Sequence, residues 1–455
     1  MKGTLYQTEK EILQRAEEII GIPLGQIDLT GRLATGKGAI GTVIEESWFG
    51  YTPNSESEPD FPEAGVELKV TPYIYNQNGA IRAKERLVCN LIDYMKEYQA
   101  EIFEQSSFWH KCHRMLLMSY LHRYDVSKAL FTIDRTILFS FPDEDLIIIK
   151  RDWAIIISKI RAGKAHEITE GDTLYLAACT KGATAETFRE QPFSYMPAKQ
   201  RAYSLKSSYM TSVLNSYIFG NKEDEHIIKS SDDIIELEGI GLEGVIKNRI
   251  IPYIGKTVDE LKETFNIDSS AKSINALILT RMLGLNVNGP EYIEEFKRAN
   301  IVPKTIRVEE NGKVRESMSF PTFKFMEIIN QEWEDSPLRE QLEPVKFLFV
   351  IFKRRSGDDY VLSSIKFWNI PYADLMEVRK VWERTKAIIK EGPKLTVNKN
   401  GTVSNNLPKK MESPVCHVRP KATNAADTFP LPTGGSMTKQ CFWLNNTYIE
   451  HIISQ

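Results

Sequence analysis

Two carboxylates and a lysine stand close together in the segment Asp60-Phe-Pro-Glu-Ala-Gly-Val-Glu67-Leu-Lys69. Apolar and charged residues alternate from residue 65 to residue 70, which is the period of a half-buried strand and predicts that Glu67 and Lys69 share one face. Carboxylate oxygens are the ligands that Mg²⁺ prefers, and a lysine beside them can act on an attacking water. The segment therefore contains the groups that metal-dependent hydrolysis of a phosphodiester requires.

The same spacing can also arise without chemistry. A surface strand that is rich in charge produces an Asp, Glu and Lys at these intervals by chance, and its charged face is then only solvated. The spacing alone leaves both interpretations open, and the motifs around the segment favour the catalytic one.

Those motifs resemble a known family. The run from residue 65 to Lys69, preceded by Asp60 and Phe61, is similar to the core motif of MutH-type endonucleases in the PD-(D/E)xK nuclease superfamily. Residues 37–50 resemble the family's helix with a further active-site glutamate, and the match selects either Glu45 or Glu46. Residues 104–114 resemble the segment that ends in a second active-site lysine, here Lys111.

The resemblance implies a role for each of these residues. Asp60 and Glu67, with the main-chain carbonyl of Leu68, would hold Mg²⁺ against the scissile phosphate. Glu45 or Glu46 would complete the inner or outer shell of the metal. Lys69 would orient and help to deprotonate the attacking water, and Lys111 would neutralise charge on the phosphate.

Two further stretches, residues 178–185 and 199–211, resemble those that the family uses to grip and read DNA. Basic groups interleaved with tyrosines and hydroxyls suit phosphate clamping together with base-edge contact. The sequence departs from MutH at Cys179, where MutH has a basic residue. The candidate DNA-binding residues of this half are Lys37, Lys181, Arg201, Tyr203 and Lys206.

Two competing motifs are weaker. The run His110-Lys-Cys112-His113 has no second cluster nearby and lacks the spacing of zinc ligands. The run from Gly31 to Gly38 is a near miss to a phosphate-binding loop, but it lacks the hydroxyl that would hold Mg²⁺ and no buried strand precedes it. Neither zinc nor nucleotide binding is therefore expected.

Length and composition are those of an ordinary globular protein. The 455 residues are 42% apolar with a formal net charge of −3, which permits two or three domains. No apolar run approaches the roughly 18 residues that span a bilayer, and the polar start has no signal-peptide region. The five cysteines form no C-x-x-C pair, so we expect no disulfide framework, no membrane association and a cytoplasmic location.

The second half of the chain resembles an altered copy of the first. Residues 271–284 parallel the helix of residues 37–50, and residues 295–308 parallel residues 60–69. In this copy Val302 replaces the metal-binding glutamate, Glu295 replaces the aspartate, and Leu279 and Thr280 replace the helix glutamate, so a Mg²⁺ site should not form. The basic gripping residues are kept, and they are Arg419, Lys421 and Lys439.

The chain is thus expected to have an α/β fold, a mixed sheet in each of two tandem MutH-like restriction-endonuclease-fold domains. Residues 1–220 would form the catalytic domain, residues 221–240 a linker, and residues 241–455 a DNA-binding, allosteric domain without catalytic residues. A fused, non-catalytic second copy resembles the two-domain type II restriction endonucleases of the Sau-three-A type.

That resemblance implies Mg²⁺-dependent cutting of duplex DNA at 5′-GATC-3′, self-association on DNA, and a cognate DNA methyltransferase as genetic partner. Two alternatives stay open. One is a mismatch-repair nickase, which resembles one domain of this chain only. The other is a DNA-binding regulator without catalysis, which would require Asp60, Glu67 and Lys69 all to be incidental.

Overall fold

A computed structural model describes residues 6–34, 38–52, 58–76, 78–182, 187–221, 224–267, 274–357, 359–398 and 403–455. Within these ranges no helix is long and apolar enough to cross a membrane. The cysteines are buried free thiols, which confirms that the chain has no disulfide framework, and they are Cys89, Cys112, Cys179, Cys416 and Cys441.

Helices and strands alternate along the chain, which confirms the predicted α/β class. The strands are β1 (Glu67–Tyr75), β2 (Ile81–Ala83), β3 (Leu87–Leu91), β4 (Met115–Leu121), β5 (Arg135–Phe139), β6 (Leu176–Thr180), β7 (Phe188–Gln191), β8 (Ser194–Lys199), β9 (Arg201–Leu205), β10 (Ile301–Val308), β11 (Met318–Phe323), β12 (Lys346–Ser356), β13 (Asp359–Trp368), β14 (Thr396–Val397), β15 (Val403–Ser404), β16 (Cys416–Pro420), β17 (Thr428–Pro430), β18 (Ser436–Thr438) and β19 (Gln440–Leu444). The α-helices are α1 (Glu9–Glu17), α2 (Leu24–Ile27), α3 (Ala39–Val43), α4 (Tyr94–Glu97), α5 (Ser107–Cys112), α6 (Asp143–Arg161), α7 (Ser207–Val213), α8 (Ser231–Ile250), α9 (Val258–Thr264), α10 (Ile274–Met282), α11 (Glu294–Ala299), α12 (Phe325–Ile328), α13 (Pro337–Glu340), α14 (Tyr372–Glu391) and α15 (Asn446–Ser454).

The chain divides into two compact units. The first contains Met1–Val245 and Glu291–Asn300, and the second contains Ile246–Pro290 and Ile301–Gln455. The predicted linker of residues 221–240 is not an extended connection, because α8 begins within it at Ser231 and its residues Ile227 and Leu237 are fully buried. The charged composition that suggested a linker belongs instead to the exposed side of a packed segment.

The first unit contains two sheets and a hairpin. In one sheet, with the order β2-β1-β4-β5, β1 is parallel to β4 and the two outer strands are antiparallel to their neighbours. The second sheet has the order β3-β9-β6 and is antiparallel, and β7 pairs with β8. The long helix α6 follows β5, and α7 follows β9.

The second unit repeats this plan. Strands β10 and β12 are parallel, β13 is antiparallel to β12, and the order β11-β19-β16 matches β3-β9-β6. The hairpin of β17 and β18 corresponds to that of β7 and β8, and helices α14 and α15 follow their strands as α6 and α7 do. This match of strand order and direction supports the internal repeat that the sequence predicts.

Local sequence explains how the first unit begins. Thr8 caps α1 with a capping box, because its hydroxyl accepts from the Glu11 amide and the Glu11 carboxylate accepts from the Thr8 amide. Ile12 and Ala16 are one turn apart and fully buried. They join Leu68, Leu116 and Met118 in one core cluster, so this helix covers one face of the β1–β4 pair.

The short segment that contains α11 is held in the first unit by buried charges. The guanidinium of Arg298 lies 2.9 Å from Asp145 Oδ1 and 3.2 Å from Glu294 Oε1, and each of these side chains is at most 4% exposed. Tyr209 donates a further hydrogen bond to Asp145 at 2.9 Å. A buried pair of this kind fixes geometry, because removal of either partner leaves an uncompensated charge.

Candidate active site

The site begins at a tight turn between Asp60 and Glu67. Phe61 and Val66 pair through two backbone hydrogen bonds of 2.9 and 3.2 Å, and Gly65 closes the turn with a φ of 66°. That φ lies in the left-handed region, which glycine adopts without steric cost. Because Asp60 and Glu67 are the next residues outward on each side, the turn brings the two carboxylates together.

Aromatic packing holds this turn in place. The ring of Phe61 is fully buried and meets Phe49 at 5.0 Å, Tyr51 at 5.4 Å and Tyr6 at 5.8 Å between ring centroids. Each contact has the edge-to-face geometry that aromatic rings prefer. The polar part of the motif is thus anchored by the apolar residue that directly follows Asp60.

Hydrogen bonds then fix both carboxylates. The Asp60 amide donates to Glu67 Oε2 and the Leu68 amide donates to Asp60 Oδ2, each at 3.1 Å. The N–H and C=O of one strand residue point to the same edge, and the Glu67 amide already faces β4 through Arg114 O at 3.0 Å. The carbonyl of Leu68 therefore points toward the edge where the Asp60 carboxylate lies.

Two lysines face Glu67. Lys69 Nζ lies 2.6 Å from Glu67 Oε1 and also donates to Cys89 O at 3.2 Å. Lys111 approaches from α5, whose N-cap is Ser106, and its Nζ lies 3.7 Å from the same carboxylate oxygen. The predicted sharing of one face by Glu67 and Lys69 is observed, and Lys111 joins them from a distant part of the sequence.

The structure also distinguishes Glu45 from Glu46. Both lie in the π-helical turn Ile44–Trp48 that continues α3. Asp60 and Glu67 are close enough to Glu45 to raise its pKa, whereas Glu46 is bound by Arg32 at 2.6 and 3.3 Å on the outer side. A π turn rotates the following side chains relative to a regular α-helix, and such turns are frequent at functional sites. Glu45 is thus the glutamate that the structure brings to the cluster.

Burial and crowding shift the pKa values here. Burial raises the pKa of Glu67 to about 7 although Lys69 opposes the shift, and burial followed by Asp60 and Glu67 raises that of Glu45 to about 7. Burial lowers the pKa of Lys69, but the charge of Glu67 outweighs it and the net direction is upward. Lys69 therefore carries its charge, and the carboxylates compete for too few cations.

This cluster fits a hard divalent cation of the Mg²⁺ type. Asp60 and Glu67 offer carboxylate oxygens, the Leu68 carbonyl faces the same edge, and a cation bound there would offset the cost of burying the charge of Glu67. A ready-made group of three or more His, Cys, Asp or Glu ligands is absent from the described residues, and this also holds for the run His110–His113. Further ligands of such a cation would have to come from water or from substrate oxygens.

The predicted DNA-binding residues of the first unit differ in their exposure to solvent. Lys37 lies outside the described residues, and Lys181 is exposed directly after β6. Arg201, Tyr203 and Lys206 are at most 2% exposed, so the prediction that they contact DNA needs correction.

Arg201, Tyr203 and Lys206 each form hydrogen bonds inside the first unit. Every residue of β9, the strand between β3 and β6, is buried, so both faces of this strand are covered. The Arg201 guanidinium donates to the carbonyl oxygens of Ala178 and Ile168. The Tyr203 hydroxyl donates to Glu97, and Lys206 Nζ donates to the Thr173 carbonyl. All three stabilise the interior of the unit.

The basic residues predicted in the second unit remain at its surface or near it. Arg419 is exposed and lies over the Trp443 ring at 4.0 Å, and Lys439 pairs with Asp427. Lys421 is exposed overall, and its Nζ donates to Ser319 Oγ at 3.0 Å and to Phe320 O at 2.9 Å.

The second unit lacks the carboxylates of the first at the corresponding place. Leu279 and Thr280 are buried in α10, and Thr280 Oγ1 donates to backbone carbonyls. Glu295 does not act as a counterpart of Asp60, because it belongs to the first unit and accepts from the amides of Ile227 and Ile228. Lys304 lies two residues after Val302 on the strand equivalent to β1, and the alignment of residues 295–308 with residues 60–69 places it at the position of Lys69.

Comparison with known proteins gives this geometry a context. Residues 49–152 match the family described as the DNA mismatch repair enzyme MutH. The DNA mismatch repair protein MutH of Shewanella woodyi is 29% identical over 219 residues, which cover 46% of this chain and 92% of that protein. The corresponding protein of an Escherichia coli strain is 26% identical over 190 residues, which cover 40% and 80% of the two chains.

A longer match extends through both units. The type II restriction enzyme Sau3AI of Staphylococcus aureus is 36% identical over 485 aligned positions, which cover 98% of each chain. The MutH proteins match fewer than half of the residues, whereas this similarity includes the second unit as well. The chain therefore belongs to the Sau3AI family of type II restriction enzymes, which are site-specific deoxyribonucleases.

Proposed function

We propose that the first unit hydrolyses duplex DNA at 5′-GATC-3′ with Mg²⁺, and that the second unit binds a further site as effector. The observation that carries the first part is the meeting of Asp60, Glu67, Lys69, Lys111 and Glu45 in one charged cluster. The choice of GATC rests on the motif resemblance to MutH-type and Sau-three-A type enzymes. The choice of Mg²⁺ rests on the carboxylate and carbonyl oxygens of the cluster, which are the ligands that this ion prefers.

The residues divide the work as follows. Mg²⁺, held by Asp60, Glu67 and the Leu68 carbonyl, would supply charge stabilisation at the scissile phosphate. Lys69 is charged, so we assign it the orientation of the attacking water and the stabilisation of negative charge rather than the removal of a proton. Lys111 adds a second cation from α5 where charge builds up on the phosphate oxygens. Glu45, from the π-helical turn after α3, would complete the inner or outer shell of the metal.

The chemistry is tested by Glu67→Gln, which keeps the size of the side chain and removes its charge. We expect the cutting rate with Mg²⁺ to fall by about 10²–10³-fold or more, because the central metal ligand is lost. Gel-shift binding of a GATC duplex in EDTA should persist, and a duplex with the scrambled site GTAC should bind more weakly. Quenched-flow cleavage of a labelled duplex measures the rate.

Glu63→Gln is the matched control, because Glu63 is exposed in the same turn. It should cut at the rate of the unaltered chain. Normal cutting by Glu67→Gln would show that the assignment of the active site is wrong. An unaltered chain that accumulates only nicked circles from plasmid would support a strand nickase instead, and one that binds GATC without cutting would support a regulator.

The two adjacent glutamates give a second test. Glu45→Gln should lower the rate of DNA cutting by about 10–100-fold, as is typical when a group that supports a metal site is removed. Glu46→Gln should stay within a few-fold of the unaltered chain, because it loses only the exposed contact with Arg32. Single-turnover cleavage of one duplex compares them, and the reverse order of effects would reassign the role to Glu46.

The effector role of the second unit rests on its retained basic surface. Arg419 lies on β16, Lys421 directly follows that strand, and Lys439 directly precedes β19, in the stretches that resemble the DNA-gripping elements of the first unit. One active site cuts one strand, so a double-strand break needs two chains or two visits. Binding of another GATC site would favour self-association on DNA, and host DNA would be protected by a cognate methyltransferase.

This role makes a kinetic prediction. A plasmid with two GATC sites should be cut faster per site than an otherwise identical plasmid with one, by about tenfold, because the second site is tethered at high effective concentration. Agarose-gel time courses at equal site concentration measure the rates. Equal rates per site would exclude the effector role without affecting the assignment of the active site.

A further inference from the structure

The altered copy of the active site lies on β10 of the second unit. Strand β10 is parallel to β12 as β1 is to β4, and Val302 pairs with Phe347 as Glu67 pairs with Met115. Ile306 and Val308 belong to the core cluster that includes residues of α14 and the β11-β19-β16 sheet, and Val302 is partly buried against it. Alternation places Lys304 on that same face, so Val302 and Lys304 correspond to Glu67 and Lys69.

A second lysine, Lys421, approaches this place from the residue directly after β16. In the two antiparallel sheets, Met318 pairs with Leu444 as Leu87 pairs with Leu205. Phe320 and Cys89 each lie two residues further along their strands, so they occupy corresponding positions. The Phe320 carbonyl accepts from Lys421 Nζ at 2.9 Å, just as the Cys89 carbonyl accepts from Lys69 Nζ at 3.2 Å. The ammonium of Lys421 thus binds the carbonyl that corresponds to the one bound by Lys69 in the first unit.

The charge balance of the two places is opposite. In the first unit Lys69 and Lys111 both face Glu67. In the second, burial together with the nearby charge of Lys421 lowers the pKa of Lys304. Within the described part of the chain Lys304 has no hydrogen bond or ion pair, so its three N–H donors are available. The face of β10 carries Lys304 next to Val302 rather than a glutamate, and Lys421 donates to the carbonyl that corresponds to that of Cys89, so an anion would be stabilised by these two ammonium groups.

We propose that Lys304 and Lys421 together bind one backbone phosphate of a GATC duplex directly, without a metal ion. The inference rests on the effector role proposed above and gives it a residue-level site. The lysines would take over the charge that Mg²⁺ supplies in the first unit, and with no carboxylate or metal to activate water the bound phosphodiester stays intact. Exposed Arg419 extends the positive surface along the backbone.

The test uses the full-length Glu67→Gln chain, which binds without cutting, in EDTA. Isothermal titration calorimetry with a short duplex containing one GATC site should show two duplexes bound per chain. Lys304→Met or Lys421→Met, introduced into that chain, should weaken one of the two binding events by about 10–100-fold, as expected for loss of a charged hydrogen-bonding group. Lys304→Arg should retain most of the affinity.

Lys313→Met is the matched control, because Lys313 is an exposed lysine of the turn after β10. If Lys304→Met unfolds the second unit, the exposed Lys421 supplies the decisive variant. A Glu67→Gln chain that binds a single duplex would overturn the effector role and this inference with it. Two duplexes bound with unchanged affinity in both lysine variants would overturn the lysine pair alone.

A separate titration with inorganic phosphate distinguishes the source of the phosphate. We expect inorganic phosphate to bind far more weakly than the duplex, because it lacks the neighbouring backbone contacts. Binding of inorganic phosphate as tight as that of the duplex, and abolished by Lys421→Met, would overturn DNA as the ligand and assign the site to a free anion.

Discussion

The backbone pairing of Phe61 with Val66 is the constraint on which the active site depends. It folds the chain back within seven residues and sets Asp60 and Glu67 side by side at the start of a buried parallel strand pair. Burial disfavours the charged form of both carboxylates, and the two charges also repel each other. Burial, with Asp60 nearby, therefore raises the pKa of Glu67, and Lys69 and Lys111 partly offset this shift.

The two units show how one scaffold can support different tasks. Both set a parallel strand pair against an antiparallel sheet, and in both a lysine donates to the same carbonyl position of that sheet. In the first unit the carboxylates dominate and attract a cation. In the second, Val302 stands where Glu67 would be, so the remaining charge is positive and would attract a phosphate. Loss of the carboxylates, with Val302 at the central position, thereby reverses the charge of the ligand that the site would bind.

Much of this site is visible in the sequence because its main parts are local. Asp60, Glu67 and Lys69 lie within ten residues, and strand alternation correctly predicts that Glu67 and Lys69 share one face. The choice of Glu45 over Glu46 depends on a π-helical turn, which residue spacing does not reveal. Arg201, Tyr203 and Lys206 have the composition of a DNA-binding strand, yet both faces of β9 are covered and Lys206, directly after it, is buried as well. Their hydrogen-bond partners lie 23 to 106 residues away in the sequence, and no local pattern reveals such contacts.

The central claim is that one chain contains one metal-dependent cutting site and one metal-free phosphate site. Anomalous diffraction from crystals of the full chain with a GATC duplex and Mn²⁺ tests it directly. We expect an anomalous peak between Asp60, Glu67 and the scissile phosphate, and a phosphate without any such peak between Lys304 and Lys421. An anomalous peak beside Val302, or none beside Glu67, would show that this assignment of the two sites is wrong.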